Sequence, residues 1–249
     1  MAAAEGRLMA QALLEASGVT KRFGGFTALD GVDLAGRPGE RLGLIGPNGS
    51  GKSTLVNCIC GVLRNEGGSI LFDGQDIGAH PAHRRIRLGI ARSFQIPRPF
   101  TSMSVRDNLL IPLEFVVHRR SHGVDVHKEA LELLKQIGLA DKAHMPSNRL
   151  SQIELRKLEL ARAMAARPRL LISDEAMAGL ASNEVDEVLQ ILFKLNEAGI
   201  TIIMIEHIMQ AVMRFSQRVV CLDAGKIICE GTPASIVKDA DVQRAYLGA

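Results

Sequence analysis

No stretch of this 249-residue chain approaches the ~18–20 consecutive apolar residues that cross a membrane. The strongest candidates, Leu109–Val117 and Ile200–Ile205, are short, and the first is interrupted by Pro112 and Glu114. The start, Met1-Ala-Ala-Ala-Glu5-Gly-Arg7, lacks both a basic beginning and a continuous apolar core, so it does not read as a signal peptide. Charge of one sign is also missing. A net charge of +3 excludes the basic footprint of a nucleic-acid binder. The four cysteines, Cys58, Cys60, Cys221 and Cys229, sit in apolar segments without the spacing of a zinc or redox pair. They read as buried free thiols in a reducing compartment. Internal repeats and low-complexity segments are absent. These absences together point to a soluble, cytoplasmic protein that reaches a membrane only through another chain.

What is present centres on Gly46-Pro47-Asn48-Gly49-Ser50-Gly51-Lys52-Ser53-Thr54. The stretch fits G-x-x-x-x-G-K-[ST], a phosphate-binding loop. Backbone N–H groups curl around a triphosphate only where side chains stay clear, which explains Gly46, Gly49 and Gly51. Lys52 supplies a point charge for the β- and γ-phosphates, and the Ser53 hydroxyl is a ligand for Mg²⁺. Before the loop, Glu40–Ile45 reads as a strand. After it, Leu55, Val56, Cys58 and Ile59 recur at helical spacing until Gly61. A strand, a glycine loop and a helix N-terminus make an anion site, because the first helical turn offers free N–H donors.

The apolar content of 47% suffices for one large α/β domain, or for a core with a smaller insert. Ala12–Val19 is expected to be the first strand, leading to Lys21-Arg22-Phe23-Gly24-Gly25. Phe23 is either a platform for a purine or a strand-end hydrophobe. Ala28–Leu34 and Arg41–Ile45, around the turn Gly36–Gly39, read as an antiparallel pair. Asp73-Gly74 signals a hairpin after Ser69–Phe72. From Ile96-Pro-Arg-Pro-Phe100 to about Met164 the pattern turns helical, with Ala130, Leu131, Leu133, Leu134 and Ile137 on one face. Residues 96–166 are therefore expected to be a helical insert within a core formed by 1–95 and 167–249. Its basic patch, Arg119-Arg120 with His118 and His122, reads as a solvated loop. Later, Arg169–Ser173 and Ile200–Ile205 read as buried parallel strands, separated by the amphipathic helix Val185–Ala198. Ala224-Gly225 closes a last hairpin, and Pro233–Leu247 gives short helices.

Three expected strands end on polar residues: Leu88–Gln95 at Gln95, Arg169–Ser173 at Asp174-Glu175, and Ile200–Ile205 at Glu206-His207. The carboxyl ends of parallel strands are where ligands bind. Asp174 is the expected acid on the Mg²⁺ side, and Glu175 is placed as general base for an attacking water. His207 is expected to donate to charge developing on the γ-phosphate, and Gln95 to touch metal or water through its amide. Read singly, each has a plain structural explanation; read with the glycine loop, they converge on one site.

In this order, around a helical insert, these residues resemble the ATPase subunit of ABC transporters. That resemblance covers nearly the whole chain. It implies a P-loop NTPase (RecA-like) core with an antiparallel β subdomain and an inserted helical subdomain, the insert docking on a membrane subunit. It also implies ATP and Mg²⁺, Phe23 as the base-stacking aromatic, and head-to-tail closure of two ATPase subunits. Arg22-Phe-Gly-Gly25, Gly89–Gln95, Ala178-Gly-Leu180, Ile205-Glu-His207 and Gln243–Gly248 are similar to the larger ATPase of branched-chain amino-acid importers. Importers of urea and short amides carry similar subunits. The implied partners are integral membrane permease subunits, a second ATPase and a solute-binding protein, with no nucleic acid. The implied location is the inner face of the plasma membrane.

The chain departs from that family at its signature loop. Where L-S-x-G-Q is usual, it has Leu150-Ser151-Gln152-Ile153-Glu154. Ile153 is expected to block close backbone approach to the γ-phosphate held by the partner, and Glu154 to bring negative charge towards it. Ala176 replaces a Pro, and Ala181 replaces an Asn or Asp. These departures predict an asymmetric pairing with a related but different ATPase chain. The alternative they leave is a module that binds ATP and switches conformation with little hydrolysis. A soluble ABC ATPase acting on DNA or ribosomes and a P-loop kinase both fit the chain less well.

Overall fold

A computed structural model describes residues 12–94, 96–118 and 125–247. The amino-terminal segment Met1–Arg7, Gln95, the patch at Arg119, Arg120 and His122, and the final Gly248 lie outside the described residues. In chain order the elements are β1 (Leu14–Phe23), β2 (Phe26–Gly36), β3 (Arg41–Ile45), α1 (Lys52–Ile59), β4 (Gly67–Phe72), β5 (Gln75–Asp76), α2 (Ala82–Leu88) and β6 (Ile90–Ser93). Then come α3 (Val105–Pro112), α4 (Val126–Gln136), α5 (Gln152–Met164), β7 (Leu170–Asp174), α6 (Ser182–Glu197) and β8 (Thr201–Ile205). The chain continues through α7 (Met209–Phe215), β9 (Arg218–Asp223), β10 (Lys226–Gly231), α8 (Pro233–Ile236) and α9 (Ala240–Leu247).

The strands form two sheets. A four-stranded antiparallel sheet runs β2-β1-β4-β5, and a six-stranded sheet runs β10-β9-β3-β8-β7-β6. In the larger sheet only the β10–β9 pair is antiparallel. This arrangement overturns one expectation. Ala28–Leu34 and Arg41–Ile45 do not pair with each other: β2 pairs with β1, whereas β3 lies parallel between β8 and β9. The physical reason is burial. β3 is covered on both faces, and a Cβ at Gly43 would stand 2.7 Å from Ser216 Oγ and 2.8 Å from Val212 Cγ1. A continuous apolar run with a glycine at a close approach belongs in the centre of a parallel sheet.

The six-stranded sheet is the middle layer, and alternate residues of its strands enter opposite cores. Leu171, Ile202 and Met204 join the core formed with α3, α4, α5, α6 and α7. Leu170, Ile172, Ile203 and Ile205 join the core formed with α1 and the antiparallel sheet. The helices between 105 and 164 thus pack against the face of the sheet opposite the phosphate loop's helix. The turn at Asp73-Gly74 holds both residues at positive φ, 53° and 74°, the requirement of a two-residue type I′ hairpin. Ala224 and Gly225 do the same at 43° and 78°.

Helix ends explain two further residues. α1 stops at Gly61, which adopts φ 73°, and its last carbonyls meet the fully buried Arg85. The Arg85 guanidinium donates to Cys58 O at 2.6 Å, Ile59 O at 2.8 Å, His80 O at 2.8 Å and Gly78 O at 3.3 Å. At α6 the N-cap residue is Ala181, which has no side-chain acceptor; Glu184 Oε2 instead accepts from the Ala181 N–H at 2.9 Å. Ala181→Asn is expected to stabilise the fold by about 1 kcal/mol, because Asn at an N-cap accepts from a free first-turn N–H. A higher urea midpoint at unchanged slope would register the gain.

Candidate nucleotide site

Between β3 and α1 the chain makes a tight loop that only glycine permits. A Cβ on Gly46 (φ 150°) would lie 2.0 Å from the Leu222 carbonyl oxygen, and one on Gly51 (φ 108°) would lie 2.6 Å from the Ala28 carbonyl oxygen. Gly51 is the N-cap of α1, and no side chain caps that end. The first-turn N–H groups therefore remain donors for an anion. Lys52 reaches back into the loop and donates to Gly46 O at 2.8 Å and Pro47 O at 2.9 Å. Burial holds the Lys52 pKa below its usual value, while the charges of Glu175 and Asp174 oppose that shift.

The loop opens into a cleft of ≈ 280 Å³. Asn48, Gly49, Ser50, Gly51, Lys52, Ser53 and Thr54 form its floor, Phe23, Phe26 and Ala28 one wall, and Glu175 and His207 the other. Gly46 and Pro47 stand behind the floor, presenting their carbonyls to Lys52. Phe23 and Phe26 face each other across the Gly24-Gly25 turn and are 48% and 62% exposed, so both rings are available at the mouth. Phe26 was not among the aromatics expected at the site. Its signal was the pair of aromatics flanking a Gly-Gly turn.

The two acids separate. Asp174 pairs with Ile205 in the β7–β8 register, so Glu175 and His207 emerge from adjacent strands at the same edge. Glu175 takes φ 48°, and its N–H donates to Ile205 O at 2.8 Å. That left-handed conformation costs a non-glycine residue on the order of 1–2 kcal/mol, and strain of this kind gathers at functional sites. It aims the carboxylate at His207, whose Nε2 lies 2.9 Å from Glu175 Oε1. Asp174 does not line the cleft. Its buried carboxylate accepts from Arg92 Nη2 at 2.5 Å and Nε at 3.2 Å, and Arg92 also donates to Asn57 Oδ1 at 2.6 Å. Nothing in the sequence singled out Arg92, since its partners lie 35 and 82 positions away. Gln95 lies outside the described residues.

Beneath His207, Glu206 is almost fully buried, and its Oε1 accepts from the Met177 N–H at 2.9 Å. Burial pushes its pKa up to about 7. Arg156 of α5 donates to Ala178 O at 3.2 Å. Glu206 and Arg156 together pin the segment that follows Glu175. Among the described residues, no cluster of three His, Cys, Asp or Glu side chains could hold a metal ion. A Mg²⁺ shared with phosphates needs no such cluster, and the Ser53 hydroxyl in the cleft suits that role.

The signature loop is tied down by contacts within its own chain. Ser151 is the N-cap of α5, and Glu154 N–H donates to Ser151 Oγ at 3.4 Å while Ser151 N–H donates to Glu154 Oε2 at 3.0 Å. This is a reciprocal capping box. Glu154 also forms an ion pair with Lys142, which holds the Glu154 pKa below its usual value. Within its own chain the Glu154 carboxylate thus both caps α5 and pairs with a cation. Nothing in the sequence singles out Lys142, which lies 12 positions before Glu154. Ile153 is half-buried and packs on the helical core.

Comparison with known proteins agrees with this geometry. A family model described as "ABC transporter" matches residues 29–178, and one described as "Branched-chain amino acid ATP-binding cassette transporter" matches residues 226–249. The chain is 36% identical to the high-affinity branched-chain amino acid transport ATP-binding protein BraF of Pseudomonas aeruginosa, over 96% of this chain and 99% of that one. It is 37% identical to LivG, the corresponding protein of Escherichia coli, with the same coverage. A nucleotide-free ATP-binding cassette from an ABC transporter superposes with a TM-score of 0.86 at 30% identity, covering 96% of this chain and all of that one. A cassette solved in its ADP conformation gives the same values.

Proposed function

The chain belongs to the ABC transporter ATP-binding family, and from that premise we propose that it hydrolyses ATP to drive a membrane importer of branched-chain amino acids or related small amide solutes. The observation that carries the proposal is the Glu175–His207 contact at 2.9 Å on the wall of the cleft whose floor is the glycine loop. In this reading Phe23 stacks on the base, and residues 46–54 cradle the phosphates. Ser53 would hold Mg²⁺, which would neutralise phosphate charge; Asp174, tied to Arg92 behind the cleft, and Gln95 would act on the ion only indirectly, through water. Lys52 leaves its loop carbonyls for the β- and γ-phosphates. Glu175 takes a proton from the water that attacks the γ-phosphorus as the bond to the β,γ-bridging oxygen breaks and ADP leaves, while His207 holds that water and donates to the charge developing on the γ-phosphate.

Full-length likeness to transport ATP-binding proteins supports this role over an ATP-dependent switch with little hydrolysis. No helix among the described residues is long and apolar enough to cross a membrane. In this reading permease subunits supply membrane attachment, with residues 96–166 docking on them at the cytoplasmic face and a solute-binding protein completing the complex. The test is reconstitution in vesicles with candidate permeases and a second ATPase. ATP-dependent uptake of labelled leucine supports the proposal, and hydrolysis without uptake of any such solute refutes the cargo.

The second ATPase is expected to be a related but different chain, because Ile153 places a β-branched side chain where close backbone approach needs glycine. In a defined heterodimer, Ile153→Gly combined with Glu154→Gln is expected to raise hydrolysis only at the partner's ATP site. Equal change at both sites, measured by blocking one phosphate loop at a time, would contradict the asymmetry.

A further inference from the structure

The chain contains one tyrosine and no tryptophan, and the fold sets that tyrosine against the phosphate loop. Tyr246 in α9 stands 200 residues from Gly46, yet its hydroxyl accepts a 2.8 Å hydrogen bond from the Gly46 N–H. The residue is 41% exposed, and partial desolvation raises its pKa; a phenol is in any case neutral at physiological pH, so the hydroxyl is free to accept.

The carboxy-terminal hairpin presses on the same loop. The Gly225 N–H donates to Ser50 O at 2.9 Å, and the Leu222 carbonyl fills the space a Cβ on residue 46 would need. Gly46 is therefore held at its N–H by Tyr246 and holds Lys52 at its carbonyl, 2.8 Å from Nζ. One residue links the last helix to the cation that meets the phosphates.

We infer that Tyr246 is a positioning residue for nucleotide binding: its hydroxyl fixes Gly46, and with it the backbone of the phosphate loop, making α9 part of the ATP site. The inference rests on the reading of the cleft as a nucleotide site. Its physical basis is preorganisation. A loop already held in its binding geometry loses less conformational freedom when the phosphates arrive. Without the hydroxyl, the Gly46 N–H is left without this partner and the loop samples other arrangements before binding.

The test compares wild type with Tyr246→Phe, which keeps the ring, and with Arg244→Ala, which removes an ion pair to Asp241 on the same helix. Equilibrium dialysis with Mg-ATP is expected to show affinity about three- to tenfold weaker for Tyr246→Phe, the worth of one net hydrogen bond. Arg244→Ala is expected to bind as wild type does. Because Tyr246 stands alone, protein grown on fluorotyrosine gives a single fluorine resonance, and that resonance is expected to shift when ADP binds. Wild-type affinity in Tyr246→Phe, equal weakening in Arg244→Ala, or a resonance indifferent to bound nucleotide would each overturn the inference. Failure of the wild type itself to bind ATP would instead refute the nucleotide reading.

Discussion

Glu175→Gln is expected to lower steady-state ATP hydrolysis by about 10²–10⁴-fold while leaving ATP binding in place. The substitution keeps size and shape, and the amide oxygen still meets His207. What it removes is a group able to accept a proton from water near neutral pH. Binding survives because the contacts to phosphate come from the glycine loop, Lys52 and Ser53, none of which the substitution touches. Loss of a negative charge beside a triphosphate also favours binding. Phosphate release and equilibrium nucleotide binding, measured on the same preparation, separate the two effects. Hydrolysis within a few-fold of wild type would assign the base elsewhere, and parallel loss of binding would make Glu175 a structural residue.

Arg85→Ala is expected to destabilise the fold by about 3–5 kcal/mol, a loss readable as a lowered denaturant midpoint. Arg85 is 1% exposed and donates to four backbone carbonyls, two of them the last of α1. Removing it strands those acceptors in the interior and leaves a cavity the size of the side chain. A Cβ on Gly61 would lie 2.7 Å from Arg85 Nε, so the helix end is shaped closely around the guanidinium. Arg85→Lys is not an adequate replacement, since one ammonium cannot span carbonyls distributed around a planar fork. α1 carries Lys52 and Ser53 at its other end, so nucleotide affinity is expected to fall with stability. A variant as stable as wild type would mean that water satisfies those carbonyls.

The sequence by itself determined the phosphate loop, because Gly46, Gly49, Gly51, Lys52 and Ser53 act through local backbone geometry that no distant contact needs to create. It also determined the hairpins at Asp73-Gly74 and Ala224-Gly225, where two successive residues adopt positive φ, and the buried strands β7 and β8, whose apolar runs admit few other settings. Tertiary structure alone decided the partners. Arg41–Ile45 reads as a hairpin strand until burial on both faces places it between β8 and β9. Glu154 gains its partner Lys142, 12 positions away, only in the folded chain. Asp174 shares with Glu175 the end of one strand, yet the side-chain alternation of a pleated strand turns one towards Arg92 while left-handed backbone turns the other to the cleft. Tyr246 reads as a helix residue near the terminus until the fold brings its hydroxyl to Gly46. Periodicity and turn chemistry are written in neighbouring residues, whereas ion pairs and long-range hydrogen bonds depend on which segments the packed core brings together.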